Sequence, residues 1–562
     1  MFKKEIVSLL SRHVALNKEE ISSLLEVPLN EEFGDYAFPC FRISKNPIEI
    51  AKQVAKKLKA GEEVERIEAV GPYINFFINK NKLAEQILRI KEDYGKKKEK
   101  GKKIMVEFPS PNTNKPLHLG HLRNMAIGES ISRILEFSGN TIIRTNLNND
   151  RGIHICKSMI AYEKWGKNNN PKKAKKKSDH FVGDYYVLFN KKAKQNPELE
   201  KQAQIFLQKW EKADKKTLQL WKKMNKWALD GFKQTYKLFG IKFNKEYFES
   251  ETYKKGKEIV EEGLKKGIFI KQPDNSIIIK IGQRGKEDLG EKILLRADGT
   301  SVYVTQDLYL AKLKQKQYHP DTSIYVVGNE QNYHFKVLFL ILKKLGFKQD
   351  LHHLSYGMVN LPSGKMKSRE GEVIDADDFI KNIQALSKKE LKKRYKLSKK
   401  ELENRSLKIA LSAIKYALLK VDSSKNMLFN PKEAISFEGD TGPYLQYSYA
   451  RASSILRKAK TKKRKKGKKS KNPVKQLVEK EIRLVKKIDK FPEIIALSSS
   501  KLNPSFISNY AVELAHIFND FYHSCPVIGD ESESLRLSLV KAFKITIKNA
   551  LYLLGIEVME EM

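Results

Sequence analysis

A strand–helix–strand pattern occurs twice in this chain of 562 residues, with a long segment between the two copies. Each copy has a short apolar or β-branched run, an amphipathic stretch with helical periodicity and a second β-type run. The runs are 104–108, 117–139 and 140–147 in the first copy and 323–331, 333–346 and 354–362 in the second. Crossovers this short join parallel strands. Two such units predict an α/β core, a Rossmann-type doubly wound parallel sheet that binds its ligand where the strands end.

The segments around this core predict two further domains. Residues 1–95 combine a helical stretch at 47–60 with a strand at 70–79, which indicates a small α+β domain. The last part of the chain has helical patterns almost throughout, so an all-α C-terminal domain is expected. We place the domain boundaries at 1–95, 102–405 and 406–562, with a mostly helical insertion in the core at about 160–290. This division agrees with the length, at about 150 residues per domain.

The charge of the chain indicates a polyanionic partner. It has 108 Lys and Arg residues against 67 Asp and Glu, a formal net charge of +41. Such a surplus is typical of proteins that bind nucleic acid. Two Lys-rich tracts, 171–177 and 457–475, either attract phosphate groups without base specificity or are solvated loops, and the sequence leaves both interpretations open.

Cysteine usage and hydropathy favour a cytoplasmic protein. Cys40, Cys156 and Cys525 lie far apart and none belongs to a C-x-x-C pair, so neither a disulfide framework nor a cysteine-rich zinc site is expected. The N-terminal stretch reads as an amphipathic helix and not as a signal peptide. The chain has no run of eighteen apolar residues, so we predict no membrane association.

The segment KPLHLGH (115–121) marks a candidate nucleotide site. It lies where the first strand passes into the following helix, and a helix N-terminus favours phosphate. Gly120 permits close approach of an adenine ring to the backbone. The imidazoles of His118 and His121 can donate to phosphate oxygens. Alone, the H-x-x-H spacing also fits two buried structural histidines or half of a metal site.

A second basic segment, GKMKSREG (364–371), follows the last strand of the second unit. Its three cations lie between two glycines, and such a loop can close over a triphosphate and stabilise charge on the departing pyrophosphate. In a chain this rich in lysine, the alternative is a solvated basic turn.

Together, the two segments resemble the HIGH and KMSKS signatures of class I aminoacyl-tRNA synthetases. Further segments narrow the resemblance to the arginyl-tRNA synthetase family, and VGPYINFF (70–77) resembles the extra N-terminal domain of that family. The other segments are SPNTNKPLHLGHLRN (110–124), YVTQD (303–307), GNEQNYH (328–334), SFEGDTGPYLQYSYAR (436–451) and FNDFYHSCPV (518–527). They cover nearly the whole chain in the order of the family.

The resemblance implies an enzyme that uses ATP, accompanied by Mg²⁺, to form arginyl-adenylate with release of pyrophosphate. Arginine then passes to tRNA(Arg) and AMP is released; no zinc is implied. The resemblance assigns catalysis to His118, His121, Lys115 and Lys365, and ATP binding to Leu119, Gly120, Lys365, Met366, Lys367 and Ser368. Ser368 stands where the general KMSKS pattern has its second lysine, and Lys115, just before the HIGH segment, is thought to replace it in the family.

The resemblance also implies a pocket for arginine. Its lining residues are Glu107, Asn112, Tyr303, Asp307 and Gln331, and Asp307 is the expected main partner of the substrate guanidinium. Carboxylates suit this group because they bind it through paired hydrogen bonds. Without the resemblance, Glu107 also fits a strand-end carboxylate paired with a lysine, and Asp307 a helix N-cap. The segment NDRG (149–152) matches the GDWG pattern of the family only at Asp150 and Gly152, which leaves any role of Asp150 open.

For tRNA, the resemblance implies that the C-terminal domain binds the anticodon and the N-terminal domain the tRNA elbow. Tyr444 and Tyr447 match aromatic contacts that stack on unpaired bases, and Met562 is expected nearby. The alternative for both tyrosines is helix packing. Tyr73 and Asn75 match elbow contacts. A monomer is expected.

Three other interpretations stay open at this point. Another class I synthetase is disfavoured by the acidic pocket and by the absence of a long editing insertion. A small nucleotidyltransferase does not explain the helical C-terminal region. The third is an inactive relative that only binds RNA. Such a protein would need neither the two signatures nor the pocket residues, and an activity assay separates it from an enzyme.

Overall fold

The N-terminal domain is built on a three-stranded antiparallel sheet in the computed structural model, which describes residues 2–28, 30–281, 290–300, 302–362, 374–465 and 477–562. Its elements in chain order are α1 (Phe2–Leu10), α2 (Lys18–Leu24), β1 (Tyr36–Pro39), α3 (Pro47–Lys57), β2 (Val64–Val70), β3 (Tyr73–Ile78) and α4 (Lys80–Leu88). Strand β3 lies between β1 and β2. The predicted helix and strand are both present, and the α+β character is confirmed.

The core domain contains the predicted parallel sheet. In chain order its elements are β4 (Lys103–Glu107), α5 (Leu119–Phe137), β5 (Thr141–Asn148), α6 (Ile153–Trp165), α7 (Ser178–Ala193), α8 (Glu198–Glu211), α9 (Lys215–Phe239), β6 (Lys245–Phe248), α10 (Glu249–Thr252), α11 (Gly256–Lys265), β7 (Ile270–Lys271), β8 (Ile277–Lys280), β9 (Glu291–Leu295), α12 (Tyr303–Tyr318), β10 (Thr322–Gly328), α13 (Asn332–Lys344), β11 (Asp350–Tyr356), β12 (Val359–Asn360) and α14 (Ala376–Arg394). The sheet order is β11–β10–β4–β5–β6 with every neighbouring pair parallel.

The insertion differs from the sequence prediction in two places. Residues 245–248, inside the stretch expected to be mostly helical, form β6 and add an edge strand to the central sheet. Strands β7, β8 and β9 form a separate antiparallel sheet. In the described residues of the insertion, the helical part consists of α6–α9 and the two short helices after β6.

The C-terminal domain is helical, as predicted. Its elements are α15 (Lys399–Leu419), β13 (Met427–Leu428), α16 (Pro431–Ala434), α17 (Gly442–Lys465), α18 (Glu479–Asp489), α19 (Phe491–Lys501), α20 (Ser505–Ser524) and α21 (Glu533–Leu553). The first part of the tract 457–475 continues α17, and 466–475 lie outside the described residues. Among the described helices, none combines the length and the apolar character needed to cross a membrane.

Arg123 ties the first helix of the core to the C-terminal domain. Its side chain is fully buried and donates to four carbonyl oxygens, those of Gly357, Met358, Ser423 and Lys425, at 2.8–3.2 Å. Burial lowers the pKa of this guanidinium to about 10, so it stays charged at neutral pH. Arg123 belongs to the HIGH-like segment, and its contacts give it a structural role.

A buried polar cluster fixes the insertion to the start of α14. The Lys177 ammonium, at the end of the first Lys-rich tract, lies 3.0 Å from Asp179 and 2.7 Å from Asp377. His180 Nε2 lies 3.0 Å from Asp377 and its Nδ1 lies 3.4 Å from Asp375. Asp179, His180 and Asp377 are spaced like a set of metal ligands, but the Lys177 ammonium already bridges the two carboxylates.

We expect the contribution of His180 to stability to depend on pH. Its hydrogen bond with Asp377 raises the pKa of His180, because the neighbouring carboxylates favour the charged imidazole. A raised folded pKa adds stability that is fully present below the unfolded pKa of about 6.5 and is lost as pH rises through the folded value. His180→Gln should therefore destabilise the chain by about 1.5–3 kcal/mol at pH 5.5 and by less at pH 8.5.

Urea unfolding at the two pH values measures this difference. All four tryptophans lie in α6–α9, so their fluorescence reports on the insertion that the cluster holds. An equal loss at both pH values would contradict the role given to the charged imidazole.

Candidate active site

The two histidines of the HIGH-like segment are held by the N-terminus of α5. His118 is the N-cap residue of this helix, and its Nδ1 accepts from the backbone N–H of Gly120 at 3.1 Å. The backbone N–H of His118 donates to His121 Nδ1, also at 3.1 Å. The two ring centroids are 3.8 Å apart. The segment thus folds locally as a helix cap in which both imidazoles use Nδ1 as an acceptor.

Both imidazoles are neutral donors at physiological pH. Burial lowers the pKa of His118 to about 4 and that of His121 well below its usual value, and the nearby Lys115 adds to both effects. A neutral imidazole that accepts at Nδ1 carries its proton at Nε2. Each ring therefore has an Nε2–H for a ligand at the N-terminus of α5.

Gly120 is required by the His118 ring itself. A Cβ atom at residue 120 would lie 2.9 Å from His118 Cε1 and 3.0 Å from its Nδ1. Any larger residue would push the ring away from the backbone N–H that it accepts from. The His118 ring therefore requires a glycine at residue 120, in addition to the close approach of an adenine ring that was inferred from the sequence.

The segment that follows the KMSKS-like residues in sequence is hydrogen-bonded to the start of α5. The backbone N–H of Leu119 donates to the Ile374 carbonyl at 3.2 Å, and that of Ala376 donates to the Leu117 carbonyl at 2.9 Å. Lys365, Met366, Lys367 and Ser368 themselves lie outside the described residues. Lys115 is half-buried beside the histidines, and burial lowers the pKa of its ammonium.

A second group of predicted site residues lies on α12 and on the segments after β4 and β10. Tyr303 and Asp307 lie one turn apart in the first part of α12, and Tyr303 is 78% exposed. Asp307 Oδ2 lies 2.7 Å from His334 Nε2, at the start of α13. Gln331, after β10, and Asn112, after β4, are exposed. The structure thus presents the side chains of Tyr303, Asn112 and Gln331 to solvent or a ligand.

Glu249 is a further carboxylate in this region that the sequence interpretation missed. It follows β6 directly, and burial raises the pKa of its carboxyl to about 7. The charges of Asp150 and Asp307 add to the rise and Arg151 opposes it. The short helix α10, which begins at Glu249, packs against α12, which carries Asp307, so the two carboxylates lie on neighbouring elements. The only sequence signal was the acidic stretch EYFESE (246–251), whose strand is too short for a clear period.

Glu107 has a different partner from the one expected. Its carboxylate forms an ion pair with the ammonium of Lys314 on α12, and both residues are buried. The same ammonium lies 5.1 Å from the ring of Tyr325 and 5.6 Å from that of Tyr247. Glu107 is thus a strand-end carboxylate paired with a lysine, which is the alternative that the sequence left open. It anchors the helix that carries Tyr303 and Asp307.

Glu107→Gln should lower the free energy of unfolding by about 3–5 kcal/mol, because it leaves the Lys314 ammonium buried without its counter-charge. Tryptophan fluorescence in urea measures the change. In the double variant Glu107→Gln/Lys314→Met most of the loss should be recovered, since no charge is then buried. A Glu107 single variant with parental stability and no affinity for arginine would instead restore this residue to the pocket.

The C-terminal domain contains a cavity of about 940 Å³ beside α17. Tyr447, Arg451, Tyr522 and Met562 are among its lining residues. The Arg451 guanidinium lies 4.9 Å from the Tyr447 ring and 5.2 Å from the Tyr522 ring, and donates to the Tyr447 hydroxyl at 3.2 Å. A cation between two rings is a surface on which planar bases can stack.

The other predicted tRNA contacts differ in accessibility. Tyr444 is 8% exposed, and its hydroxyl accepts from Asn519 at 2.7 Å and bonds His516 Nδ1 at 3.1 Å. Asn75 is 2% exposed within the N-terminal sheet. Tyr73 is partly exposed, and its ring lies 5.6 Å from that of Phe41. Burial therefore gives Tyr444 and Asn75 packing roles in this conformation.

Three family descriptions match consecutive parts of the chain. Residues 1–78 match the arginyl tRNA synthetase N terminal domain, 83–431 the tRNA synthetases class I (R) catalytic domain, and 445–562 the DALR anticodon binding domain. An arginine–tRNA ligase of Treponema denticola is 48% identical over 96% of this chain and 94% of its own length. The chain belongs to the arginyl-tRNA synthetase family.

Relatives and a solved structure extend this result over the whole chain. The arginine–tRNA ligase of Borrelia duttonii is 43% identical over 98% of this chain and 96% of its own. The arginyl-tRNA synthetase structure of Thermus thermophilus covers 100% of this chain and 99% of that one, with a TM-score of 0.83 and 25% identity. This member of the family is therefore a class I aminoacyl-tRNA synthetase with all three of its domains matched.

For this arginyl-tRNA synthetase family member, the structure shows which of the predicted site residues lie near one another. The HIGH-like histidines and Lys115 lie together at the start of α5. Asp307 bonds His334, and its helix packs against the short helix that begins at Glu249, whereas Glu107 pairs with Lys314.

Proposed function

We propose that this chain ligates L-arginine to tRNA(Arg), with ATP bound at the N-terminus of α5 and arginine bound by Asp307 and Glu249. The observation that carries this assignment is the acidic pair itself. The Glu249 side chain is largely buried, the Asp307 side chain is partly exposed beside His334, and the helices that carry them, α10 and α12, pack together. A permanently charged guanidinium neutralises such a pair, and carboxylates bind it through paired hydrogen bonds.

The residues at α5 act on ATP by positioning and electrostatics. The Nε2–H groups of His118 and His121 donate to phosphate oxygens, and the Lys115 ammonium adds positive charge. The arginine carboxylate attacks the α-phosphorus, the bond to pyrophosphate breaks, and arginyl-adenylate forms. The neutral imidazoles stabilise the negative charge that develops on the phosphates by donating hydrogen bonds. No proton transfer to or from the imidazoles is involved. Lys365, Met366, Lys367 and Ser368 complete the ATP site in this proposal.

Mg²⁺ enters this proposal as part of the ATP substrate. Magnesium prefers oxygen ligands, which the phosphates supply. The groups at this end of α5 are imidazole N–H donors and an ammonium, so they do not fit as its ligands. The proposal includes no zinc.

Specificity for arginine follows from the pocket charges. An amino acid without a guanidinium would not form the paired hydrogen bonds with Asp307 and Glu249, whose partners within the chain are His334 and Arg151. Such a loss of paired polar contacts supports discrimination of about 10⁴-fold at the binding step, without editing. Tyr303, Asn112 and Gln331 are accessible and are assigned to the same pocket in the proposal.

For tRNA, we assign base stacking to Tyr447 and Arg451 in the C-terminal cavity, near Met562. Tyr73 is the accessible candidate for the elbow contact. The net charge of +41 supports attraction of the RNA backbone. The proposal further includes a monomeric enzyme in the cytoplasm.

Amino-acid-dependent ATP–pyrophosphate exchange tests the proposal. We would measure it across the twenty amino acids, with and without total tRNA. Exchange with arginine alone, appearing when tRNA is added, is the expected result. Exchange with a different amino acid would keep the cleft and overturn the pocket. No exchange under any condition would favour an RNA-binding protein without activity.

A further inference from the structure

A guanidinium that belongs to the chain lies beside Glu249. Arg151 Nη1 is 3.7 Å from Glu249 Oε1, and its Nη2 is 2.8 Å from Glu211 Oε1. The Arg151 side chain is largely buried, with its guanidinium 4.0 Å from the ring of Tyr253 and 5.5 Å from that of Trp210. Two carboxylates and two rings thus fix its position. Arg151 stands where the GDWG pattern has tryptophan, which supplies a ring and no charge.

Asp150, which precedes Arg151, is hydrogen-bonded to Ser250, which follows Glu249. The buried carboxylate of Asp150 accepts from the backbone N–H of Ser250 at 2.9 Å and from its hydroxyl at 2.7 Å. The Asp150 carbonyl in turn accepts from Trp221 Nε1 at 2.7 Å. Asp150 therefore fixes the backbone next to Glu249, and Arg151 contacts the Glu249 side chain.

The same segment is joined to the loop before the HIGH-like helix. The backbone N–H of Asn149 donates to the Pro111 carbonyl at 3.0 Å, and that of Thr113 donates to the Asn149 carbonyl at 3.1 Å. The Asn149 side chain donates to the Ser110 carbonyl, also at 3.0 Å. The position of Glu249 is in this way linked to the backbone that leads into the ATP side of the cleft.

We propose that Arg151 is a positioning residue for substrate recognition, which holds the ionised Glu249 carboxylate next to Asp307 so that both can bind the guanidinium of arginine. The inference rests on the proposed arginine pocket and adds to it the group that maintains the pocket's charge. Asp150 supports it by fixing the Ser250 backbone.

Electrostatics explains why such a group is needed. The charges of Asp150, after β5, and Asp307, on α12, add to the burial that raises the pKa of Glu249, because like charges disfavour ionisation. Arg151 is the cation that opposes burial and these two carboxylates, and the pKa of Glu249 is about 7 with Arg151 in place. Without Arg151, a larger share of Glu249 would be protonated at neutral pH and would bind the guanidinium poorly.

The test is the pH dependence of the KM for arginine in tRNA-dependent ATP–pyrophosphate exchange, in the full chain. We would compare the parental enzyme with Arg151→Met and Arg151→Lys. Arg151→Met should raise the KM for arginine about tenfold at pH 7 and shift the pH at which this KM improves upward by about one unit, as expected for loss of an adjacent opposite charge. Arg151→Lys keeps the charge and should keep the parental pH profile, with a smaller rise in KM. The KM for ATP should stay unchanged in both variants.

Lys157→Met is the matched control. Lys157 is also mostly buried and pairs with Glu200 at 2.8 Å, in the same part of the domain. Its loss should leave the KM for arginine and its pH profile at parental values.

Three results would overturn the inference. They are a parental pH profile in Arg151→Met, an equal pH shift in the Met and Lys variants, and parallel changes in the KM values for arginine and ATP, which indicate a merely structural residue. If Arg151→Met does not fold, Arg151→Lys decides by its pH profile, since a shift there contradicts the role of the charge. Failure of the proposed function is separate, because the parental enzyme would then show no exchange with arginine.

Discussion

Replacement of Asp307 by alanine is expected to abolish arginine-dependent ATP–pyrophosphate exchange and to leave tRNA binding near the parental level. In our proposal Asp307 and Glu249 share the substrate guanidinium. Removing one carboxylate of a close charge pair costs about 2–5 kcal/mol, so the loss in kcat/KM for arginine should reach about 10³-fold at the upper end of that range. Asp307 is partly exposed and bonds only His334 among the described residues, so stability should change little.

Two further variants serve as controls. One separates the charge of Asp307 from its size, and the other tests another position on the same helix. Asp307→Asn keeps the size and a hydrogen bond to His334 but removes the charge, so it should lose most of the activity as well. Lys316→Ala removes an exposed charge from the same helix and should be neutral. Exchange at the parental rate in Asp307→Ala would remove this residue from the pocket and leave the ATP side of the proposal intact.

The sequence predicted the central fold where long, strongly periodic segments carry it. The α5 and α13 helices and the strands beside them were found because each amphipathic stretch lies between two β-type runs. The edge strand β6 was missed because it has four residues, of which only Tyr247 is fully buried. Its identity as a strand comes from pairing with β5, about a hundred residues earlier in the chain. No local pattern contains that information.

The same limit applies to the candidate site. The HIGH-like residues are neighbours in sequence, so a local segment was enough to place them at the start of a helix, although not to predict the cap in which both Nδ1 atoms accept. Glu107 was assigned from its place after a strand, whereas its partner Lys314 lies 207 residues away on α12. Glu249 and Arg151 meet only because β6 lies next to β5 in the sheet. Partners of buried charges are set by tertiary packing, which a single sequence does not display.

Replacement of His121 by alanine should lower kcat for arginine activation by about 10²–10³-fold, the scale of losing one preorganised donor to a transition state. The variant loses the Nε2–H group and also the acceptor that holds the His118 backbone N–H. The KM for arginine should change little, because Glu249 and Asp307 lie on other elements, α10 and α12. Exchange kinetics at saturating arginine measure the effect.

The pH profile and a conservative variant distinguish donation from acid–base chemistry. The pKa of His121 lies well below its usual value because of burial, and the charge of Lys115 and that of His118 when it is protonated lower it further. The imidazole is thus neutral throughout pH 6–8, and kcat should not fall with protonation of this residue in that range. His121→Gln presents an N–H at a similar distance from the backbone and should recover part of the rate, while His352→Ala, on the exposed side of β11, should have no effect. A parental kcat in His121→Ala would mean that the cap geometry of α5 is structural, and that the phosphates are bound mainly by cations such as Lys115.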